Sequence, residues 1–510
     1  MNKQVIVVGA GPGGLAAAMQ LSTAGYQVKV LEKQPQIGGR TSKLTVGDYH
    51  FDLGPTFFMM PQILEEVFVR SGRNLHDYVD MQEVNPLYTL KFGEVSFSPS
   101  TDSEKTKEDI GRLFPGNEEG YERFLRIEGE KFDRVIALLK QPFTSIGDFF
   151  TKDMWRALPR LNAFDTVYKR LSKYFSDERL KWAFSFQAKY LGMSAWDCPG
   201  TFTILSFLEH RYGLFHPIGG VNQVCHAMAK VIKENGGDIL TNTNVEQVLV
   251  NKGEAVGVQL DDGSVLRAND VIINADFGYA MTHLFDQKVL RKYKKERLKK
   301  KGLSLSTFML YLGVDGELDL PHHMVLFAND YKQNVDDITK YGRISEDPSI
   351  YVHNPSRLDP TLAPEGKSSL YVLMPVPNLE AAINWEEQKP LIREQILERL
   401  EREPGLVDIR DRIEVEKIVS PLEWEKNYNV YRGATFNLSH TLDQMMYFRP
   451  HNKFEDVEHC FLVGGGTHPG SGLPTIFQSA IISADLLQQQ YDLKDVVSFD
   501  EEVAAVKEHF

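Results

Sequence analysis

Val5-Ile6-Val7-Val8-Gly9-Ala10-Gly11-Pro12-Gly13-Gly14-Leu15 opens the chain, and Glu32 and Gly38-Gly39-Arg40 follow it. The β-branched run predicts a strand over Lys3–Val8, buried on both faces of a parallel sheet. A helix is expected over Leu15–Thr23 and a second strand over Tyr26–Leu31, which together make a βαβ unit. In that context the glycines have separate jobs. Gly9 permits the tight turn, Gly11 lets backbone approach a pyrophosphate, and Gly14 lets the helix pack close to the strand. The helix aims its N-terminal N–H groups and the positive end of its dipole at phosphates. Glu32 lies 18 residues past Gly14, at the end of the second strand, where a carboxylate can accept hydrogen bonds from the adenosine ribose. No arginine stands beside it for a 2′-phosphate, which disfavours NADP. The apolar stretch Val5–Leu21 is broken by glycines and Pro12, and is therefore read as mature structure rather than a signal peptide.

Composition bounds the reading. The chain has 510 residues, 42% hydrophobic and 25% charged, enough for two or three structural units with ample core. A net charge of −13 argues against nucleic acid as a partner. No uninterrupted apolar run is long enough for a transmembrane helix. Cys198, Cys225 and Cys460 form no C-x-x-C, which fits a reducing cytoplasm and argues against dithiol redox chemistry. No metal site is expected: zinc spacing is absent, and the adjacent pair His322-His323 reads as a loop pair.

Residues 96–212 read as mostly helical and aromatic-rich. His216-Pro217-Ile218-Gly219-Gly220 then leads into a helical pattern over Val221–Asn235 and strands over Asp238–Leu240, Val245–Val250, Ala255–Leu260 and Ser264–Ala268, with hairpin turns at Asn251-Lys252-Gly253 and Asp261-Asp262-Gly263. Val271-Ile272-Ile273-Asn274-Ala275-Asp276 reads as a buried strand that returns to the nucleotide-binding unit. Thr307–Leu312, Ser349–His353 and Ser369–Val376 predict a second sheet, and Trp385–Glu403 a charged helix. Near the end, a strand over Cys460–Val463 enters Gly464-Gly465-Gly466-Thr467-His468-Pro469-Gly470-Ser471-Gly472-Leu473-Pro474, followed by a helical stretch over Ile476–Gln489. This second glycine-rich junction is not another G-x-G-x-x-G, so no NAD(P)H site is expected.

Three blocks together carry a resemblance: the opening fingerprint with Glu32 and Gly38-Gly39-Arg40, the return at Gly219-Gly220, and Phe461–Gly470. The set resembles the flavin amine oxidase-like superfamily and, within it, the bacterial carotenoid desaturases of the phytoene desaturase type. Phe51-Asp52-Leu53-Gly54-Pro55-Thr56, Asp347–Val352, Leu362–Lys367 and Tyr371–Pro377 support it over nearly the whole chain. Gly54–Pro61 is also similar to the diapophytoene desaturase branch. The resemblance implies an α/β fold: a Rossmann-like FAD-binding domain, a mixed α+β substrate domain, and a helical, membrane-associating region. Residues 1–95, 213–285 and 455–495 would form the FAD-binding domain, 96–212 the helical region and 286–454 the substrate domain. FAD would be the cofactor. Gly9, Ala10, Gly11 and Gly14 would meet its pyrophosphate, Glu32 and Lys33 its adenosine side, and Gly39 and Arg40 the link toward the ribityl chain. Val245 would contact the adenine through its backbone. Gly464, Gly465, Gly472, Pro474 and Ile476 would approach the flavin.

The implied activity is desaturation of an acyclic carotenoid precursor, diapophytoene or phytoene, by hydride transfer to the flavin and loss of a proton. The alternatives are a carotenoid oxidase forming terminal aldehydes, an FAD-dependent polyene isomerase, and a non-enzymatic prenyl-lipid-binding protein of the same fold. Asp52 is a candidate base or a structural carboxylate, and His468 a flavin-side hydrogen bonder or loop structure. A bilayer-dissolved polyene implies a protein in the cytoplasm, associated peripherally with the inner face of the cell membrane. Phe143, Phe149, Phe150, Trp155, Leu158, Leu161 and Phe164, interleaved with Lys152, Arg156 and Arg160, suit an interfacial segment or an amphipathic core pair. Arg291–Lys301, with eight basic residues and one acid, is either a lipid-headgroup contact or a solvated face.

Overall fold

The computed structural model describes residues 3–491, so residues 492–495 of the expected 455–495 segment lie outside it. The apolar run at the start becomes strand Gln4–Val8, the centre of a five-stranded sheet ordered Cys460–Leu462, Asp270–Ile273, Gln4–Val8, Gln27–Leu31, Asp238–Leu240. Every pairing in it is parallel. Both faces are covered, which is why these strands carry apolar runs rather than an alternation. The helix Pro12–Thr23 starts three residues earlier than the apolar pattern indicates. Proline suits the first helical position, because its missing N–H would have no intrahelical partner there. Nearly the whole helix is buried, packed against the sheet and against helices Asn222–Glu234 and Leu473–Gln490. The strands Val245–Asn251, Glu254–Leu260 and Val265–Arg267 form the expected antiparallel meander beside this unit.

The second sheet has seven strands, ordered Ile413–Val419, Ser306–Asp315, Lys367–Val376, Ile350–His353, His323–Leu326, Thr89–Phe92, Val95–Phe97. The hairpin over residues 89–97, which straddles the expected boundary at 95/96, therefore pairs with the substrate-side sheet through the parallel contact of Thr89–Phe92 with His323–Leu326. The loop reading of His322-His323 is corrected here. His323 begins a strand and both residues are buried.

A helical layer includes Glu118–Lys140, Lys152–Leu161 and Ile204–Tyr212, and its first helix contacts the helix Leu473–Gln490. Its interior is apolar and aromatic apart from polar knots. In one of them the ion pair Glu128–Lys131 closes at 2.5 Å with both side chains buried. Among the described residues no helix is long and apolar enough to cross a membrane.

Candidate active site: a dinucleotide cradle opening into an apolar cavity

A cavity of about 560 Å³ runs from the first strand–helix turn to the helical layer. At one end its wall is Gly9, Gly11, Pro12 and Gly13, and beside them Glu32, Lys33, Gly39 and Arg40. The C-terminal block supplies Gly464, Gly465, Gly472, Pro474 and Ile476, and Val245 lines it too. Of the expected cofactor residues, Ala10 and Gly14 stand behind this surface, doing structural work. The Ala10 N–H donates to Glu32 Oε2 at 2.8 Å. A Cβ on Gly14 would sit 2.3 Å from the Gly9 carbonyl oxygen, so the helix approaches the strand as closely as glycine allows.

The donor set matches a dinucleotide. The helix Pro12–Thr23 has Gly11 at its N-cap and no side chain capping it, so its first N–H groups are free to meet phosphate oxygens. Glu32 is buried and held by two backbone donors, Ala10 N–H and Gln34 N–H, the latter at 2.9 Å. The carboxylate is thus fixed before a ribose arrives. Arg40 donates to the Thr435 carbonyl at 2.8 Å and lies 3.9 Å from Asp276, which keeps its guanidinium at the cavity wall. Lys33 and Gln34 both donate to the Asn427 carbonyl, which brings the 421–428 helix and Asn429 over this end.

Asn274, Asp276 and Tyr279 also line the cavity, and sequence reasoning did not single them out. The signal was present: they follow a strand parallel to Gln4–Val8, and open α/β sheets bind ligands beyond the carboxyl ends of such strands. The Asp276 side chain is buried, and burial raises its pKa while Arg40 works against that shift.

Away from the cradle the wall turns apolar. It is formed by Phe132, Val135 and Leu139 from one helix and Leu205 and Leu208 from another, with Met309 and Leu373 from the second sheet. Lys189 lies on this wall. Its Nζ sits 4.6 Å from the Tyr331 ring centroid, and it has no carboxylate partner among the described residues. Burial pulls its pKa down to about 7. The unfolded chain binds that proton up to a much higher pH, so the folding penalty is full below about 7 and shrinks as pH rises toward the ordinary lysine value. Lys189→Met is therefore expected to raise Tm more at pH 6 than at pH 9.5, measured by calorimetry at both. An equal shift at the two would contradict the buried-cation reading.

Asp52 and His468 do not line the cavity. Asp52 is buried; its Oδ1 accepts from the Val221 N–H at 2.7 Å, and burial raises its pKa to about 6. His468 Nε2 meets the Gln141 carbonyl at 3.0 Å and its ring packs on Phe143, so it joins the C-terminal glycine block to the end of the 118–140 helix. Burial lowers its pKa to about 3, leaving a neutral imidazole.

Missed entirely from sequence was Arg449, fully buried behind the glycine block. It donates to the carbonyls of Gly465 at 2.6 Å and Thr467 at 3.2 Å, and also to those of Leu438, Ser439 and Gln444. Burial pulls its pKa down to about 9, which still leaves it charged at neutral pH.

Comparison with known proteins agrees with this architecture. The flavin containing amine oxidoreductase family matches residues 12–488. A 4,4'-diapophytoene desaturase (4,4'-diapolycopene-forming) of Methylomonas sp is 46% identical over 493 residues, covering 97% of this chain and 96% of its own. An all-trans-zeta-carotene desaturase of Myxococcus xanthus is 36% identical over 498 residues, covering 96% and 94%. Among solved structures, an oxidoreductase from Methanosarcina mazei superposes with a TM-score of 0.64 at 19% identity, covering 94% of this chain and all of its own, a likeness of fold. With the cradle, the fixed Glu32 and the second glycine junction all on one cavity, the chain belongs to the flavin containing amine oxidoreductases, in their carotenoid desaturase branch, and is an FAD-dependent oxidoreductase.

Proposed function

We propose that the protein desaturates an acyclic carotenoid precursor of the 4,4'-diapophytoene type. The observation that carries this reading is the continuity of the cavity: a dinucleotide cradle at one end and an apolar wall at the other, in one space. FAD, when bound, supplies the two-electron oxidant. The protein's own part is to hold the cofactor through Glu32, Arg40 and the open helix N-terminus, and to keep a hydrocarbon aligned against it. The largely apolar wall excludes water, and a hydrocarbon has no group to hydrogen-bond with the few polar side chains on it, so orientation comes from shape. One substrate hydrogen leaves with its electron pair, a neighbouring one leaves as a proton, and that second pair becomes the new π bond. The Methylomonas relative's substrate favours diapophytoene over phytoene. Glu32, Arg40 and the intact glycine junction argue against a lipid carrier without flavin.

Expression in one host making 4,4'-diapophytoene and another making phytoene tests the reading, with products identified by mass. The expected product from diapophytoene has lost hydrogens in pairs and absorbs at longer wavelength. A product of unchanged mass would indicate isomerisation, one with added oxygen would indicate an oxidase, and no product from either precursor would overturn the assignment.

The same reading places the protein on a bilayer surface. Phe150, Trp155, Leu158 and Phe164 are exposed, Trp155 at 61% and Phe164 at 95%, joined by Ile146 and Phe448. Phe143 is buried, so the aromatic stretch divides between core and surface. Exposed Lys152 and Arg156 flank the apolar tips, the arrangement of an interfacial helix. This helix packs on the 118–140 helix, whose Phe132, Val135 and Leu139 line the cavity, which gives a polyene a short apolar route inward. The basic stretch 291–301 borders the patch, with Lys292 against the Tyr447 ring and Tyr447 beside Phe149 and Phe448. Trp155→Asp with Phe150→Asp is expected to reduce co-sedimentation with anionic vesicles about tenfold or more while leaving bound flavin unchanged. Unaltered vesicle binding would refute the patch.

A further inference from the structure

Four histidines far apart in sequence meet at one buried point where the dinucleotide unit touches the second sheet. His216 lies on strand Leu214–Pro217, just before Gly219-Gly220. His322 and His323 stand at the start of one strand of the seven-stranded sheet, and His353 closes the neighbouring strand, paired in register with His323. A nitrogen from each of His216, His322 and His353 lies within 4.8 Å of the others. All three residues are buried.

The surrounding hydrogen bonds occupy one nitrogen each of His216 and His322 and leave the other without a partner. His216 Nε2 meets Asp359 Oδ2 at 3.2 Å, which leaves Nδ1 bare, and that atom has no partner. His322 Nδ1 meets His323 Nε2 at 3.1 Å, His323 Nδ1 meets Tyr351 Oη at 2.7 Å, and Tyr351 meets Thr56 at 2.7 Å. With each ring donating toward Thr56 along this relay, His322 Nε2 is a lone pair, and it too has no partner. Neither nitrogen of His353 has one. Buried polar atoms are satisfied in native proteins, so a concentration of bare imidazole nitrogens around one point calls for an occupant. Outer carboxylates and rings that orient the inner imidazoles are what metal-ligating histidines carry.

Charge points the same way. Asp359, bonded to His216, and Asp52 are both buried, and neither is paired with a lysine or arginine among the described residues. Asp52 Oδ2 has no hydrogen-bond partner. A divalent cation would offset both carboxylates in surroundings where an isolated charge is costly.

We propose that His216, His322 and His353 bind a divalent transition-metal ion, with zinc the best match, as a structural bolt between the Gly219-Gly220 turn and the second sheet. Imidazole nitrogens without thiolates suit zinc, whose bonds of about 2.0 Å in tetrahedral geometry put ligand nitrogens about 3.3 Å apart. The widest pair therefore closes by at most roughly 1.5 Å, within reach of ring rotation. The fourth position would fall to water or another oxygen, and Asp52 Oδ2 is a buried carboxylate oxygen without a hydrogen-bond partner. Asp52 also holds the Val221 N–H, and Asn222 beside it donates to the carbonyls of Ile37 and Thr41, so the bolt stiffens the turn carrying Gly39 and Arg40.

The test is elemental analysis of the purified holoprotein, followed by chelation and reloading with zinc chloride. About one zinc per chain is expected, with Tm falling by about 2–4 °C on chelation and recovering on reloading. His353→Ala should lose the metal, with His353→Gln as the gentler variant, while His76→Ala, on the surface beside Glu65, keeps it. Less than about 0.1 metal per chain after loading, with no change in Tm, overturns the proposal and leaves the His216–Asp359 hydrogen bond with buried water in its place. Metal retained by both His353 variants overturns it as well.

Discussion

Gly11→Val is expected to give a protein that folds and purifies without flavin. Gly11 has ordinary extended backbone angles, φ −74° and ψ 172°, so valine there meets no conformational barrier. The conflict is spatial. The new Cβ would lie 2.9 Å from Asn274 Nδ2, and the two methyl groups beyond it would stand on the cavity surface where backbone must approach a pyrophosphate. Asn274 can move, because it is a side chain whose hydrogen bond to the Gly9 carbonyl is long, 3.2 Å. The sheet therefore survives while the phosphate position is filled. Flavin per chain, read from the visible absorbance of the purified protein and from flavin released on denaturation, should fall at least about tenfold, which corresponds to ~1.4 kcal/mol or more of lost binding. Desaturation should fall with it. Gly14→Val is the contrasting case: its Cβ meets the Gly9 backbone oxygen at 2.3 Å, which no rotamer relieves, and the expected result is insoluble protein. Stoichiometric flavin in a soluble Gly11→Val protein would remove the cradle from the argument.

What the sequence disclosed divides along physical lines. The cradle was legible because its determinants are local. Strand, turn and helix lie within one short segment, and each glycine's task follows from the residues beside it. The C-terminal junction was legible for the same reason, although its helix begins at Leu473 rather than Ile476. Roles that depend on what packs against a residue were not legible. In sequence Asp52, beside Phe51, stands open between a base and a structural carboxylate, and only the packing shows its Oδ1 accepting a backbone N–H from a segment far along the chain. His468 sits in the most characteristic motif of the chain and turns away from the cavity toward Gln141. The apolar wall draws on two helices and the second sheet, and nothing in the periodicity of any one element announces a shared cavity. The histidines cluster across separations of up to 137 residues, from His216 to His353, which no ligand-spacing rule detects.

Arg449 is the strongest case of a residue whose role is tertiary, and its loss should cost the most stability. In sequence it is a lone arginine between Phe448 and Pro450. In the fold its guanidinium is a hub for carbonyls from two segments, 438–444 and 465–467, and so ties the second glycine junction to the loop behind it. No carboxylate pairs with it among the described residues, so carbonyl dipoles alone offset the buried charge. That arrangement costs desolvation when it forms, but truncating the donor is worse, because several buried oxygens are left without partners at once. Arg449→Leu is expected to lower unfolding stability by about 3–5 kcal/mol, read as a shift of the urea midpoint in the holoprotein. Arg449→Lys should fall between, since an ammonium has three donors against the five of a guanidinium fork and lacks its planar reach. Flavin retention should fall in the same order, because Gly465 faces the cavity from the other side of the peptide that Arg449 holds. A leucine variant as stable as the parent would mean that the glycine junction holds its shape unaided, and that the arginine's burial has another cause.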